Sequence, residues 1–93
     1  MSVTIRIPTP LRKFTDNQAA VAVEGTTVQG AINSLLATYG DLRSQIVGDD
    51  GKVRRFVNVY VNDEDVRFLD SFETAVEDGD EISIIPAIAG GRI

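Results

Sequence analysis

The chain has 93 residues, 43% of them hydrophobic and 25% charged, with a formal charge of −5 and neither histidine nor cysteine. That length suits one compact domain with little spare stability. The acidic balance argues against a nucleic-acid partner, the missing cysteines exclude disulfides and thiol chemistry, and no apolar run approaches the roughly 20 residues that span a bilayer.

The N-terminal Met1-Ser2-Val3-Thr4-Ile5 lacks a basic segment followed by a long apolar one. No secretory signal and no membrane partner are expected, and the cytoplasm is the expected compartment. Val3-Thr4-Ile5-Arg6-Ile7 alternates apolar and polar residues, the period of a half-buried strand. Pro8 and Pro10 interrupt the ladder, and residues 11–14 are expected to continue the strand beyond a bend. Thr15-Asp16-Asn17 reads as a turn. A second strand follows, with Val21 and Val23 on one face and Ala20 and Ala22 on the other, closing a hairpin. The basic pairs Arg12-Lys13 and Arg54-Arg55 are expected to be solvated strand ends.

After Glu24-Gly25, Thr26 or Thr27 offers a hydroxyl to cap a helix. Val28, Ala31, Ile32, Leu35, Leu36 and Tyr39 recur at spacings of three and four, which is one helical face. Gly40 is expected to end that helix in the left-handed conformation. Residues 41–51 read as a polar loop with one helical turn, anchored by Leu42 and Ile46. Phe56-Val57-Asn58-Val59-Tyr60-Val61 is a strong strand, Asn62-Asp63-Glu64-Asp65 a turn, and Val66-Arg67-Phe68 a short returning strand. Residues 71–77 allow one turn of helix. Glu77-Asp78-Gly79-Asp80 makes a tight turn before the last strand, Glu81-Ile82-Ser83-Ile84-Ile85-Pro86.

One long helix with a single apolar stripe must bury it against a sheet. With the first strand already paired in a hairpin, the last strand fits parallel beside it in the middle of the sheet. The expected fold is α+β, a ubiquitin-like β-grasp with a mixed sheet of four to five strands packed on one main helix. Composition alone does not select it over another α+β sheet. The expected domain spans residues 1–87, and residues 88–93 form a flexible tail.

The residue types missing from the chain narrow its chemistry. Without histidine there is no ordinary proton shuttle and no conventional serine triad. Without histidine or cysteine, zinc sites built on imidazole or thiolate are excluded. The acidic runs at Asp49-Asp50, Asp63-Glu64-Asp65 and Glu77-Asp78-Gly79-Asp80 fall in predicted turns and lack calcium-loop spacing, so solvated turns are the expectation, with no metal site and no bound cofactor. An enzyme is therefore not expected. Gly90-Gly91 stands apart by position. It follows a predicted core strand closely, and glycine permits a backbone to thread a narrow channel, although two glycines near a terminus are also compatible with a frayed end.

Three segments together resemble ubiquitin-like sulfur carriers of the ThiS/MoaD family. They are the strand and turn from Arg55 through Phe56, Asn58, Tyr60, Asn62 and Asp65 to Arg67; the acidic-glycine turn and last strand from Glu77 to Ala87; and Ala89-Gly90-Gly91. Within that family the likeness is strongest to the CysO-type branch, which serves cysteine synthesis. The resemblance implies a tail of Ala89, Gly90 and Gly91 whose Gly91 carboxylate is adenylated by an E1-like partner using ATP and magnesium, then converted to a thiocarboxylate. It implies a second partner that takes the sulfur, a cysteine-synthase-like enzyme first among the candidates. Thiamin, molybdopterin, methionine and siderophore-type products stay open.

Arg92 and Ile93 follow Gly91, where the simplest family pattern ends. An amide carbonyl cannot be adenylated as a carboxylate can, so the Gly91–Arg92 bond is an expected processing site for a JAMM-type zinc peptidase. The pair also reads as a vector-derived remnant. Phe56, Tyr60 and Phe68, with Arg55 and Arg67 adding charge, are the expected partner interface. Two other functions remain: a ubiquitin-like modifier conjugated through Gly91, and the small subunit of a molybdopterin-synthase-type complex.

Overall fold

The structure, a computed structural model, describes residues 2–48, 53–54 and 57–86. β1 (Ser2–Arg6) and β2 (Ala20–Glu24) form the expected hairpin, with Val3 opposite Val23 and Ile5 opposite Val21. The turn before β2 holds Asp16 and Asn17 at φ of 54° and 64°, a conformation that short polar side chains tolerate. Residues 11–14 do not prolong β1. Thr9–Phe14 form a 3-10 helix with Pro10 in its first turn, where a missing N–H costs nothing and the fixed φ already suits a helix. Arg12 and Lys13 therefore close a helical turn and are not strand ends, and Arg12 Nε donates to the Ile7 carbonyl at 3.1 Å.

α1 (Val28–Thr38) starts at Thr27, whose hydroxyl accepts from the Gly30 amide at 3.1 Å. Its expected stripe is the buried face: Val28, Ala31, Ile32 and Leu35 are fully enclosed and Leu36 nearly so. Gly25 lets the helix start this close to β2. A Cβ there would lie 2.7 Å from the Ala31 backbone nitrogen. Gly40 does not provide a left-handed stop. Tyr39 caps the helix, its N–H donating to Leu35, and Gly40–Leu42 continue as a 3-10 helix into α2 (Arg43–Ile46). A left-handed residue would turn the chain away before Leu42 and Ile46 reach the core, and both are fully buried.

β3 (Val57–Val61) pairs antiparallel with β4 (Glu64–Asp65) on one side and with β5 (Glu81–Pro86) on the other. The returning strand lies two residues earlier than expected. Asn62 and Asp63, at φ of 50° and 74°, make a two-residue hairpin turn by themselves. Glu64 and Asp65 pair at once, and Val66–Phe68 curl into a 3-10 helix. The helical turn expected within residues 71–77 is a 3-10 helix, Ser71–Glu73. Gly79, at φ 91°, turns the chain into β5 and donates its N–H to Ser2.

The strand order is β2-β1-β5-β3-β4, with β5 parallel to β1, so the β-grasp expectation holds. The inward residues Val3, Ile5, Val57, Val59, Ile82 and Ile84 are buried with the α1 stripe. The alternating residues Arg6, Asn58, Tyr60, Ser83 and Ile85 are half-buried or exposed on the other face. Ala87 and the expected tail, residues 88–93 with Ala89, Gly90, Gly91 and Arg92, lie outside the described residues, as do Arg55 and Phe56. Replacing Gly25 by alanine is expected to destabilise the fold by about 1–3 kcal/mol, because backbone rather than a yielding side chain blocks the added methyl. A urea unfolding midpoint unchanged from wild type would contradict this.

Candidate docking face

The face of the sheet turned away from α1 brings several side chains into one cross-strand row. Arg6 of β1 lies opposite Ser83 of β5, Ser83 opposite Tyr60 of β3, and Tyr60 opposite Asp65 of β4. One step along, Ile85 faces Asn58. Neighbouring side chains on one face of a sheet stand close enough to make a continuous surface. Ile85 is 49% exposed there, an unusual position for a large aliphatic group.

Asp65 and Arg67 rigidify one end of the row. Asp65 is 8% exposed. Its Oδ2 accepts from Arg67 Nη2 at 2.7 Å, and its Oδ1 accepts from Arg67 Nε at 3.1 Å and from the Arg67 amide at 2.8 Å. A two-pronged guanidinium contact is geometrically specific. Those side-chain hydrogen bonds first, then the backbone one, hold the Asp65 carboxyl below its ordinary pKa of 3.8. The same contact raises Arg67, so both groups stay charged. Phe68 follows directly and is 81% exposed.

Of the interface residues expected from sequence, the structure therefore brings Tyr60 and Arg67 together through Asp65, and sets Phe68 beside Arg67 in the chain. Arg55 and Phe56 fall outside the described residues, as does the Gly91 site. Arg6, Ser83 and Ile85 were not singled out. The signal for Ile85 was present: in Ile82-Ser83-Ile84-Ile85, alternation that buries Ile82 and Ile84 must turn Ile85 outward. Arg6 and Ser83 carried no such signal, because their adjacency depends on a parallel pairing between the two ends of the chain.

Near the end of β5, a hollow of about 240 Å³ is lined by Arg6, Pro8, Arg12, Ser83 and Ile85. Arg6 Nη1 lies 3.6 Å from Glu81, both largely solvated, a loose ion pair. Pro86, the last described residue of β5, directly follows Ile85 of this lining. Among the described residues no cluster of three or more acidic side chains is placed to hold a metal, and no helix is long and apolar enough to cross a membrane.

The sequence matches the ThiS family over residues 5–91. It is 46% identical over 93 residues to the sulfur carrier protein CysO of Mycobacterium tuberculosis, covering 98% of this chain and all of that one. The fold superposes on a chain in the crystal structure of the Amycolatopsis orientalis BexX/CysO complex with a TM-score of 0.85 and 44% identity, covering 96% of this chain and 99% of the other. SAMP1 of Haloferax volcanii superposes with a TM-score of 0.86 at 26% identity, over 98% of this chain and all of that one.

Because Asp65 titrates lower in the fold than in the open chain, its contribution to stability is complete above the ordinary carboxylate range. It is lost as pH falls through the lowered folded value. Asp65→Asn is thus expected to be less stable than wild type at pH 7, with the gap narrowing toward pH 2. Urea melts at both pH values check this, and a gap that stays constant with pH contradicts it.

Proposed function

As the chain belongs to the ThiS family, we propose that it is a carrier of sulfur whose working atom is the Gly91 carbonyl carbon, and that its β-grasp domain serves to present this end to other proteins in the cytoplasm. The observation that carries the reading is the family match itself, which runs through the whole domain and through Gly90-Gly91. The near-complete alignment with a protein named as a sulfur carrier supports it. Activation needs a free carboxylate, so the Gly91–Arg92 bond is hydrolysed first, by a JAMM-type zinc peptidase. The carboxylate then attacks the α-phosphorus of magnesium-bound ATP on an E1-like enzyme, releasing pyrophosphate and leaving an acyl-adenylate. A sulfur donor displaces AMP and leaves a thiocarboxylate.

The physical reason for the adenylate is that a carboxylate is a poor electrophile, whereas AMP is a good leaving group. Catalysis belongs to the partners, because the chain has no histidine or cysteine to supply it. Cysteine synthesis, with a cysteine-synthase-like acceptor, is the favoured destination, given the likeness to CysO.

Tyr60, Ser83 and Ile85, with Arg67 and Phe68 at the rim, form the docking face. Phe68 and Ile85 are the two large hydrophobic groups exposed among the described residues, and apolar anchors ringed by polar groups carry most binding energy at such faces. A modifier role shares the adenylate step, and the likeness to SAMP1, named as a small archaeal modifier protein, favours it as the second reading.

A chain ending at Gly91 is expected to support ATP–pyrophosphate exchange on its cognate activating enzyme and to gain about 16 Da, one oxygen replaced by sulfur. The full chain ending at Ile93 supports neither until trimmed. Absence of exchange with the trimmed chain would overturn the carrier reading, and isopeptide adducts through Gly91 without the mass gain would favour the modifier. Phe68→Ala is expected to weaken binding to the activating enzyme about tenfold while leaving the melting temperature unchanged, since the ring contributes little to the core. Unchanged affinity removes Phe68 from the docking face.

A further inference from the structure

β2 is an edge of the sheet, and among the described residues no strand pairs with its outer side. The Ile7 amide donates to the Ala19 carbonyl, so the residues of β2 whose backbone groups face β1 are Val21 and Val23. Those of Ala20 and Ala22 point away from the sheet. Both alanines are exposed. At the Glu24 end the edge is closed: the Glu24 carbonyl accepts from Ser34 Oγ of α1 at 2.7 Å. Edge strands are ordinarily protected by lysine, proline, a bulge or a covering element. Ala20-Val21-Ala22-Val23 has no charge and no proline, and its register with β1 has no bulge.

Beyond the other end of β2, a polar hollow of about 380 Å³ lies between the turn that precedes the strand and the C-terminus of α1. Asp16, Thr38 and Asp41 line it. Lys13 is the single cation of the lining, and its ammonium lies 5.4 Å from the Phe14 ring centroid. Two carboxylates against one ammonium, on a chain of net charge −5, favour a cationic guest. The helix runs antiparallel to the strand here, with Ser34 against Glu24 and Thr38 sharing the hollow's lining with Asp16, so a guest strand laid along β2 would run toward the hollow.

We propose that β2 accepts an extended segment of a partner protein as a sixth strand, with a lysine or arginine of that segment seated between Asp16 and Asp41. Pairing with the Ala20 and Ala22 amide and carbonyl groups supplies the main-chain recognition, and the small side chains leave room for alternate residues of the guest. The site lies at the opposite edge of the sheet from β4 and Phe68, so it can be engaged while the proposed docking face is occupied. It stands or falls independently of whether Gly91 carries sulfur.

The test is an amide chemical-shift titration of the full chain with a capped peptide of alternating valine and threonine, lysine at both ends, against a control peptide with glutamate at both ends. The expected result is saturable shifts at Ala20 and Ala22 with the lysine peptide alone, and slower hydrogen exchange at those two amides. Asp16→Asn combined with Asp41→Asn should raise the dissociation constant on the order of fivefold. Ala22→Pro, which removes an outward N–H but no ladder bond, should abolish binding. Should that variant fail to fold, the double aspartate variant still decides. Shifts confined to Tyr60, Ser83 and Ile85, equal binding of the glutamate peptide, or shifts at Ala20 and Ala22 that depend on the chain's own concentration without peptide would each overturn the proposal, the last by making a second copy the guest.

Discussion

Burial of the α1 stripe against the inner face of the sheet is the interaction on which the rest depends. Val28, Ala31, Ile32 and Leu35 meet the inward residues of β1, β5 and β3 in one enclosed cluster. Each large aliphatic group so enclosed contributes roughly 1.5–3 kcal/mol. A chain of 93 residues has few of them to lose. The helix needs a wide apolar surface, and only the insertion of β5 between β1 and β3 makes the sheet wide enough. The last strand is therefore also the central one, bonded on both sides. This central strand is described as far as Pro86, five residues before Gly91 in the sequence.

On the proposed function, this arrangement separates the surface that partners read from the end that carries sulfur. The outward row Arg6–Ser83–Tyr60–Asp65 is held by backbone pairing across four strands, and the Asp65–Arg67 contact locks its rim. A partner that reads this row also fixes, by the geometry of β5, where the following residues begin. On the same reading, proximity of this kind is how a catalytic partner would gain rate. The opposite end of the sheet has a different task. Asn62 bridges to Asp80 and to the Glu81 amide, while Asp80 accepts from the Glu77 amide. The Asp80 carboxylate is thus held by one backbone amide and one side-chain amide of the neighbouring turns.

Where expectation and structure differ, one physical cause recurs: local signals mark that the chain must turn, but not by which geometry. Pro8 and Pro10 announced an interruption after β1, and proline suits the start of a 3-10 helix as well as a bent strand. Gly40 is compatible with a left-handed cap and with a continuing turn, and the need to bury Leu42 and Ile46 selected the second. Four polar residues from Asn62 to Asp65 looked like one turn. The positive φ of Asn62 and Asp63 completes the reversal in two, which frees Glu64 and Asp65 to pair and moves Phe68 out of the sheet into solvent.

What the sequence alone determined was periodic. Alternation at Val3–Ile7, Val57–Val61 and Ile82–Ile84, and the three-and-four spacing from Val28 to Leu36, specify which side chains face inward, because strand and helix geometry admit one buried face each. The family likeness, with its Gly90-Gly91 end, was legible in the same way, as a pattern along the chain. Which outward residues become neighbours was decided only by the tertiary structure. Arg6 meets Ser83 and Ser83 meets Tyr60 across strands 77 and 23 positions apart, through a register that the turns and the core set jointly. A docking face is a property of that register, and no linear window of the sequence contains it.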